Sequence, residues 1–163
     1  WKPGPIANSK YTEAEMEDVL SGGTDLSDTM EKFAPGWKAS KCAGGWNMGL
    51  QVEWNGRQNV LMTHPLTHKT ACEISRKVEI TAGKKTSLQL LVGHQPNGKW
   101  DLAFKADDVE LLKRTVSKTT AQAGWLKVNI DLSELAGKTV NLQLFNQAGL
   151  GYWGDIRVMS DDL

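Results

Sequence analysis

Three histidines and two loop tryptophans are the residues whose types and spacing suggest chemistry. "THPLTHK" places His64 and His68 four residues apart, and His94 opens "HQPNG". A four-residue spacing presents two imidazoles to one metal ion only on a helix, and Pro65 between them opposes a helix. No Cys/His pattern suggests zinc. The alternative chemistry is hydrogen bonding, because a neutral imidazole both donates and accepts. Trp37 and Trp46 lie in "APGWK" and "AGGWN", outside any core periodicity, and are the aromatic candidates for a binding platform. Near the end of the chain, "NQAGLGYWGDIRV" adds Asn146, Gln147, Tyr152 and Trp153 beside a glycine-broken loop.

Nothing in the sequence assembles a catalytic set. There is no GxSxG and no HExxH, and no spacing couples a nucleophile to a base. Glycoside cleavage needs two carboxylates flanking a cleft. Here the acids fall in an N-terminal helical stretch, in turns, or on outward strand positions such as Glu53 and Asp101. The chain is therefore expected not to be an enzyme.

The elements that must position these residues read as strands. From residue 46 the apolar period is two. "MGLQVEW" puts Met48, Leu50, Val52 and Trp54 on one face, and "NG" at 55–56 is a hairpin signal. Further alternating runs carry Leu88, Leu90 and Val92, then Trp100, Leu102 and Phe104, then Leu126, Val128 and Ile130, then Val140, Leu142 and Leu144. About nine short strands separated by turn clusters predict an all-β antiparallel sandwich of jelly-roll type, one domain over residues 1–163. Residues 1–45 form an irregular lead-in, with a short helix near 11–20 where Ala14, Met16 and Val19 share a stripe. The strands occupy 46–159.

If consecutive strands run antiparallel, their connections alternate between the two ends of the sandwich. One end then collects His64, His68, His94, Gln95, Asn97, Asn146, Gln147, Trp46 and Tyr152. The other collects charges: Lys84, Lys85, Asp107, Asp108, Glu134 and Lys138. The "NG" turn falls at this second end. Aromatic faces mixed with neutral amides and imidazoles suit a polyhydroxylated ligand. Trp54 and Trp100 keep the inward phase of their strands and are expected in the core. Tyr152 shares phase with Ile156 and Val158, which makes it part of the wall. Trp153 has the opposite phase, so it covers a neighbour such as Phe145 or binds something at the surface.

With 19 basic and 19 acidic residues the formal net charge is zero. No basic surplus faces nucleic acid. The apolar runs are short, "LQLLVG" being typical, against the roughly 20 residues of a membrane span, so no membrane insertion is expected. The chain begins at Trp1 without a basic-apolar leader, which suggests a processed protein or part of a larger one. Cys42 and Cys72 suit one disulfide or two small buried hydrophobes, and both readings stay open.

The stretch "GWLKVNIDLSELAGKTVNLQLFNQAGLGYWGDIRV" (124–158) resembles the C-terminal half of galactose-binding-like jelly-roll domains. Trp125, Asp131-Leu132-Ser133, Ala136-Gly137-Lys138 and Trp153-Gly154-Asp155-Ile156-Arg157-Val158 carry the likeness. "GKKTSLQLLVGHQPNGKWDLAFKAD" (83–107) is similar to the central strands of bacterial carbohydrate-binding modules. The resemblance implies a non-catalytic, secreted or cell-surface module tethering a parent protein to a polysaccharide or glycan. The alternative is a structural or protein-interaction sandwich without sugar affinity. Trp125 would pack structurally. No cofactor is required, though such domains often carry a structural calcium, for which Asp155 would be a ligand with Glu17 or Asp18 as helpers.

Overall fold

The computed structural model describes residues 25–44, 48–121 and 123–162. The helix expected near 11–20 and Trp46 lie outside these residues. The described chain begins with a short helix, α1 (Ser27–Phe33), followed by ten strands: β1 (Lys38–Ser40), β2 (Gly49–Trp54), β3 (Arg57–Thr63), β4 (Cys72–Glu79), β5 (Lys84–Gly93), β6 (Trp100–Ala106), β7 (Val109–Val116), β8 (Trp125–Asp131), β9 (Thr139–Gln147) and β10 (Gly151–Asp162). They form two five-stranded antiparallel sheets, ordered β1-β4-β9-β6-β7 and β2-β3-β10-β5-β8. The all-β antiparallel sandwich expected from the alternation is therefore the observed architecture.

The alternating runs fill the space between the sheets. Leu88, Leu90 and Val92 of β5 are buried, as are Trp100, Leu102 and Phe104 of β6 and Leu142 and Leu144 of β9. Each strand presents every second side chain inward, so one face supplies the core and the other meets solvent. The lead-in is more ordered than its composition suggests. Leu26, Met30 and Ala34 recur at helical spacing and close one edge of the core. Trp37 joins them at 4% exposure, so this loop tryptophan is a core residue and not a platform. A Cys42–Cys72 disulfide fastens this segment to the start of β4.

β10 departs from the simple phase. Its ladder with β5 shifts register between Trp153 and Asp155, a β-bulge at Gly154. One extra residue reverses the alternation. Trp153 and Ile156, three apart, therefore both enter the core. Tyr152 points to the opposite face and joins Val60 and Met62 in a separate small cluster, with Trp54 and Trp125 packed on it. The expected assignment is inverted: Trp153 is fully buried between the sheets, and Tyr152 belongs to the outer face. The bulge is tight around glycine: a Cβ at position 154 would lie 3.0 Å from the Trp125 ring and 3.1 Å from Arg57 Nε, so these side chains would have to give by a few tenths of an ångström.

A second departure concerns the β2–β3 hairpin. β3 pairs with β10 only through Leu61, Met62 and Thr63. Asn59 then adopts φ 58° inside the strand, a left-handed conformation that asparagine tolerates and that breaks a regular ladder. The hairpin tip comes back over the outer face of its own sheet. There Trp54 stacks on Tyr152 with ring centroids 4.2 Å apart and planes 3° from parallel. Trp54 is therefore not in the core, and Val52, expected inward, is 84% exposed on an edge strand.

Candidate functional site

Strand registers gather four connections at one end. Thr63 pairs with Gly151, Gly93 with Tyr152 and Trp125, Cys72 with Asn146, and Trp100 with Val116. The counting of strand ends thus describes the molecule, except at the "NG" turn. The recurved hairpin carries Asn55 to this same end. Its amide Nδ2 donates to the Ala123 carbonyl at 2.9 Å, and the Trp125 indole donates to the Asn55 carbonyl at 3.0 Å. Gly124 makes the approach possible: a Cβ there would sit 2.0 Å from the Asn55 amide nitrogen, and its φ of +85° also favours glycine.

Between the hairpin tip and the loops lies a cleft of about 530 Å³. Trp54 and Asn55 form one wall, His94 and Pro96 another, and Lys118, Ala121, Ala123 and Gly124 the third. Among the described residues its lining contains no carboxylate. Tyr152 supports it from below through its stack on Trp54. Burial raises the Tyr152 phenol above its ordinary range, opposed by a hydrogen bond from Gln95 Nε2 at 3.5 Å. Two ring nitrogens of the cleft residues are buried without a hydrogen-bond partner: Trp54 Nε1 and His94 Nε2.

The other candidates divide by role. Gln95, Asn97 and Gln147 are exposed at the same end, and His68 is exposed beside them in sequence on the 64–70 connection. Asn146 is fully buried and structural. It accepts from Thr63 Oγ1 at 2.7 Å and donates to the Gly149 carbonyl at 2.9 Å. Thr63 Oγ1 accepts in turn from Trp153 Nε1 at 2.9 Å. Trp125 carries both the Asn55 contact and an Arg57 guanidinium 5.9 Å from its ring. Trp54 was missed as a site residue because strand phase alone places it inward. The left-handed Asn59 that redirects the hairpin is the only local signal, and it is a weak one.

His64 is half-buried against the disulfide segment. Its Nδ1 donates to the Pro65 carbonyl at 2.7 Å, and its own carbonyl accepts from Ala43 N at 2.9 Å. Burial holds the imidazole below its ordinary range, only partly opposed by the Pro65 contact. The unfolded chain, with an imidazole titrating near pH 6.5, takes up a proton before the folded chain does. Stability from this residue is complete above about pH 7 and declines as pH falls. Melting temperatures measured at pH 7.5 and 5.5 are expected to drop further in the parent than in His64→Asn.

The Asp155 carboxylate, the candidate calcium ligand, pairs with Arg157 Nε at 2.7 Å. Among the described residues no group of three or more His, Cys, Asp or Glu side chains could hold a metal ion. Glu17 and Asp18 lie outside those residues. Among the described residues there is also no helix long and apolar enough to cross a membrane.

No protein-family model matches the chain, and no curated protein does. Solved structures match its shape. The CBM22-1 xylan-binding domain of Paenibacillus barcinonensis Xyn10C superposes with a TM-score of 0.54 at 14% identity, over 80% of this chain and 89% of that one. A family 35 carbohydrate binding module from Clostridium thermocellum gives 0.51 at 10% identity, over 84% and 95%. The Stig cyclase Fisc from Fischerella sp. TAU, in complex with an indole compound, gives 0.54 at 11% identity, over 99% and 96%. The fold is thus the antiparallel β-sandwich that these carbohydrate-binding modules also adopt. At these identities the likeness extends to fold alone, and the cyclase shows that the fold also hosts an enzyme.

Proposed function

We propose that this chain is a non-catalytic carbohydrate-binding module that tethers a parent protein to a glycan, with its site in the cleft beneath the β2–β3 hairpin. The observation that carries this reading is that two residues lining one cleft, Trp54 and His94, each keep a buried ring nitrogen without a partner. A buried donor or acceptor without a partner costs about 1–3 kcal/mol, so such pairs persist where a ligand completes them. Aromatic surface from Trp54 would cover a sugar's C–H face, and Gln95 and Asn97 would reach its outer hydroxyls. The absence of carboxylates among the described residues of the cleft lining supports binding without glycoside cleavage. The Cys42–Cys72 bond supports a secreted or cell-surface setting.

A protein-interaction module is the second reading, favoured by Val109 and Leu111 on the edge strand β7, 61% and 49% exposed. Affinity electrophoresis through gels containing soluble polysaccharides separates the two. Retardation of the parent by one glycan class, reduced at least tenfold in Trp54→Ala, is the expected result. Retardation untouched by that substitution would move the site away from the cleft, and none in any gel would leave the interaction module in front.

A further inference from the structure

The two unpartnered nitrogens are chemically unlike, and that difference defines what they can accept. An indole Nε1–H only donates. His94 Nδ1 lies 2.5 Å from the Gln95 carbonyl. A carbonyl only accepts, so in the neutral ring the proton sits on Nδ1 and Nε2 presents a lone pair. The cleft therefore holds one donor and one acceptor, both shielded from solvent. Trp54, which owns the donor, sits next to Asn55 at a hairpin tip held by two hydrogen bonds to the 123–125 segment and by the stack on Tyr152. Both nitrogens are covered in this structure, so a ligand has to part the cleft walls to reach them.

We infer that a hydroxyl-bearing neutral saccharide satisfies this pair, one hydroxyl donating to His94 Nε2 and accepting from Trp54 Nε1–H, and that carboxylated sugars are refused. The inference rests on the glycan-binding reading above and specifies its ligand class. A hydroxyl can do both things at once, whereas a carboxylate is acceptor-only. A uronate keeps ring hydroxyls, but every residue of a polyuronate also brings a carboxylate into the cleft, and that charge is left poorly solvated. Among the described residues Lys118 is the one cation lining the cleft, and it is exposed. It offers a uronate only a screened attraction.

The test is affinity electrophoresis in neutral gels (xylan, galactan, mixed-linkage glucan) and acidic gels (polygalacturonate, alginate), with melting temperatures for every variant. Trp54→Phe keeps a ring for the Tyr152 stack and removes only the indole N–H and some ring area. His94→Phe removes the acceptor. Retardation by a neutral polysaccharide and by neither acidic one is expected, weakened about tenfold in each variant, the worth of one buried hydrogen bond. The melting temperature of Trp54→Phe should hold or rise, because the deleted N–H has no partner in the free protein. Should His94→Phe fail to fold, Trp54→Phe alone decides. Equal retention by acidic gels overturns the inference, as does neutral-glycan retention that survives Trp54→Phe. In both cases glycan binding itself stands. No retention in any gel removes the glycan reading and the inference with it.

Discussion

Removing the Cys42–Cys72 bond, by reduction or in a Cys42→Ser/Cys72→Ser variant, is expected to cost about 3–4 kcal/mol. The bond closes a loop with a sequence separation of 30, and the entropy released to the unfolded chain by opening such a loop sets that magnitude. For a domain of this size each kcal/mol moves the midpoint by about 2–4 °C, so thermal unfolding should fall by about 10 °C. The loss should not be uniform. Cys42 follows β1, a three-residue edge strand paired with β4, and α1 rests on the core through Leu26 and Met30. Hydrogen exchange should therefore rise first in residues 26–42, while amides of β5, β6 and β9 stay protected. A midpoint unchanged by reduction would mean that burial of Trp37 and Met30 alone holds the segment.

The parts of this fold that sequence pattern discloses are those where strand phase runs unbroken. β5, β6, β8 and β9 each alternate over a full strand, and their inward residues are the buried ones. Counting strands also places the connections other than the β2–β3 turn at their correct ends, because every ladder is antiparallel. The disclosure stops where one residue changes the count or where a loop packs by distant contacts. The bulge at Gly154 reverses the phase of Tyr152 and Trp153, and a glycine inside a strand is the only sequence trace of it. The recurved hairpin makes a cleft wall of Trp54, which phase assigns to the core. Trp37 has no periodic neighbours, and it is buried in a segment that a disulfide with a sequence separation of 30 fastens to β4. In α1 the spacing of Leu26, Met30 and Ala34 is helical, but seven residues give too few turns for the period to stand out. The cleft was half legible: His94, Gln95 and Asn97 come from its end, while its aromatic wall does not.

Trp153→Ala is expected to destabilise the domain by about 3–5 kcal/mol, the range for emptying a large aromatic site in a packed core. The side chain is fully buried and lies 5.2 Å from Trp100, ring planes tilted by 54°. Its indole N–H opens a buried relay: Trp153 Nε1 donates to Thr63 Oγ1, Thr63 donates to Asn146 Oδ1, and Asn146 donates to the Gly149 carbonyl. That relay joins the end of β3, the end of β9 and the start of β10 just below the cleft. Trp153→Phe keeps most of the ring and loses the donor, so about 1–2 kcal/mol is expected from the weakened relay. The order of the two costs discriminates between placements. On an outward-facing strand position either substitution would fall within about 0.5 kcal/mol of the parent, and Trp153→Phe would be silent. Urea unfolding of the three proteins measures both costs. A graded loss in the order Phe then Ala places the ring between the sheets, where only a bulge at Gly154 can put both it and Ile156. The same bulge turns Tyr152 outward beneath Trp54, so the stability of Trp153 variants reports on the geometry that builds the cleft wall.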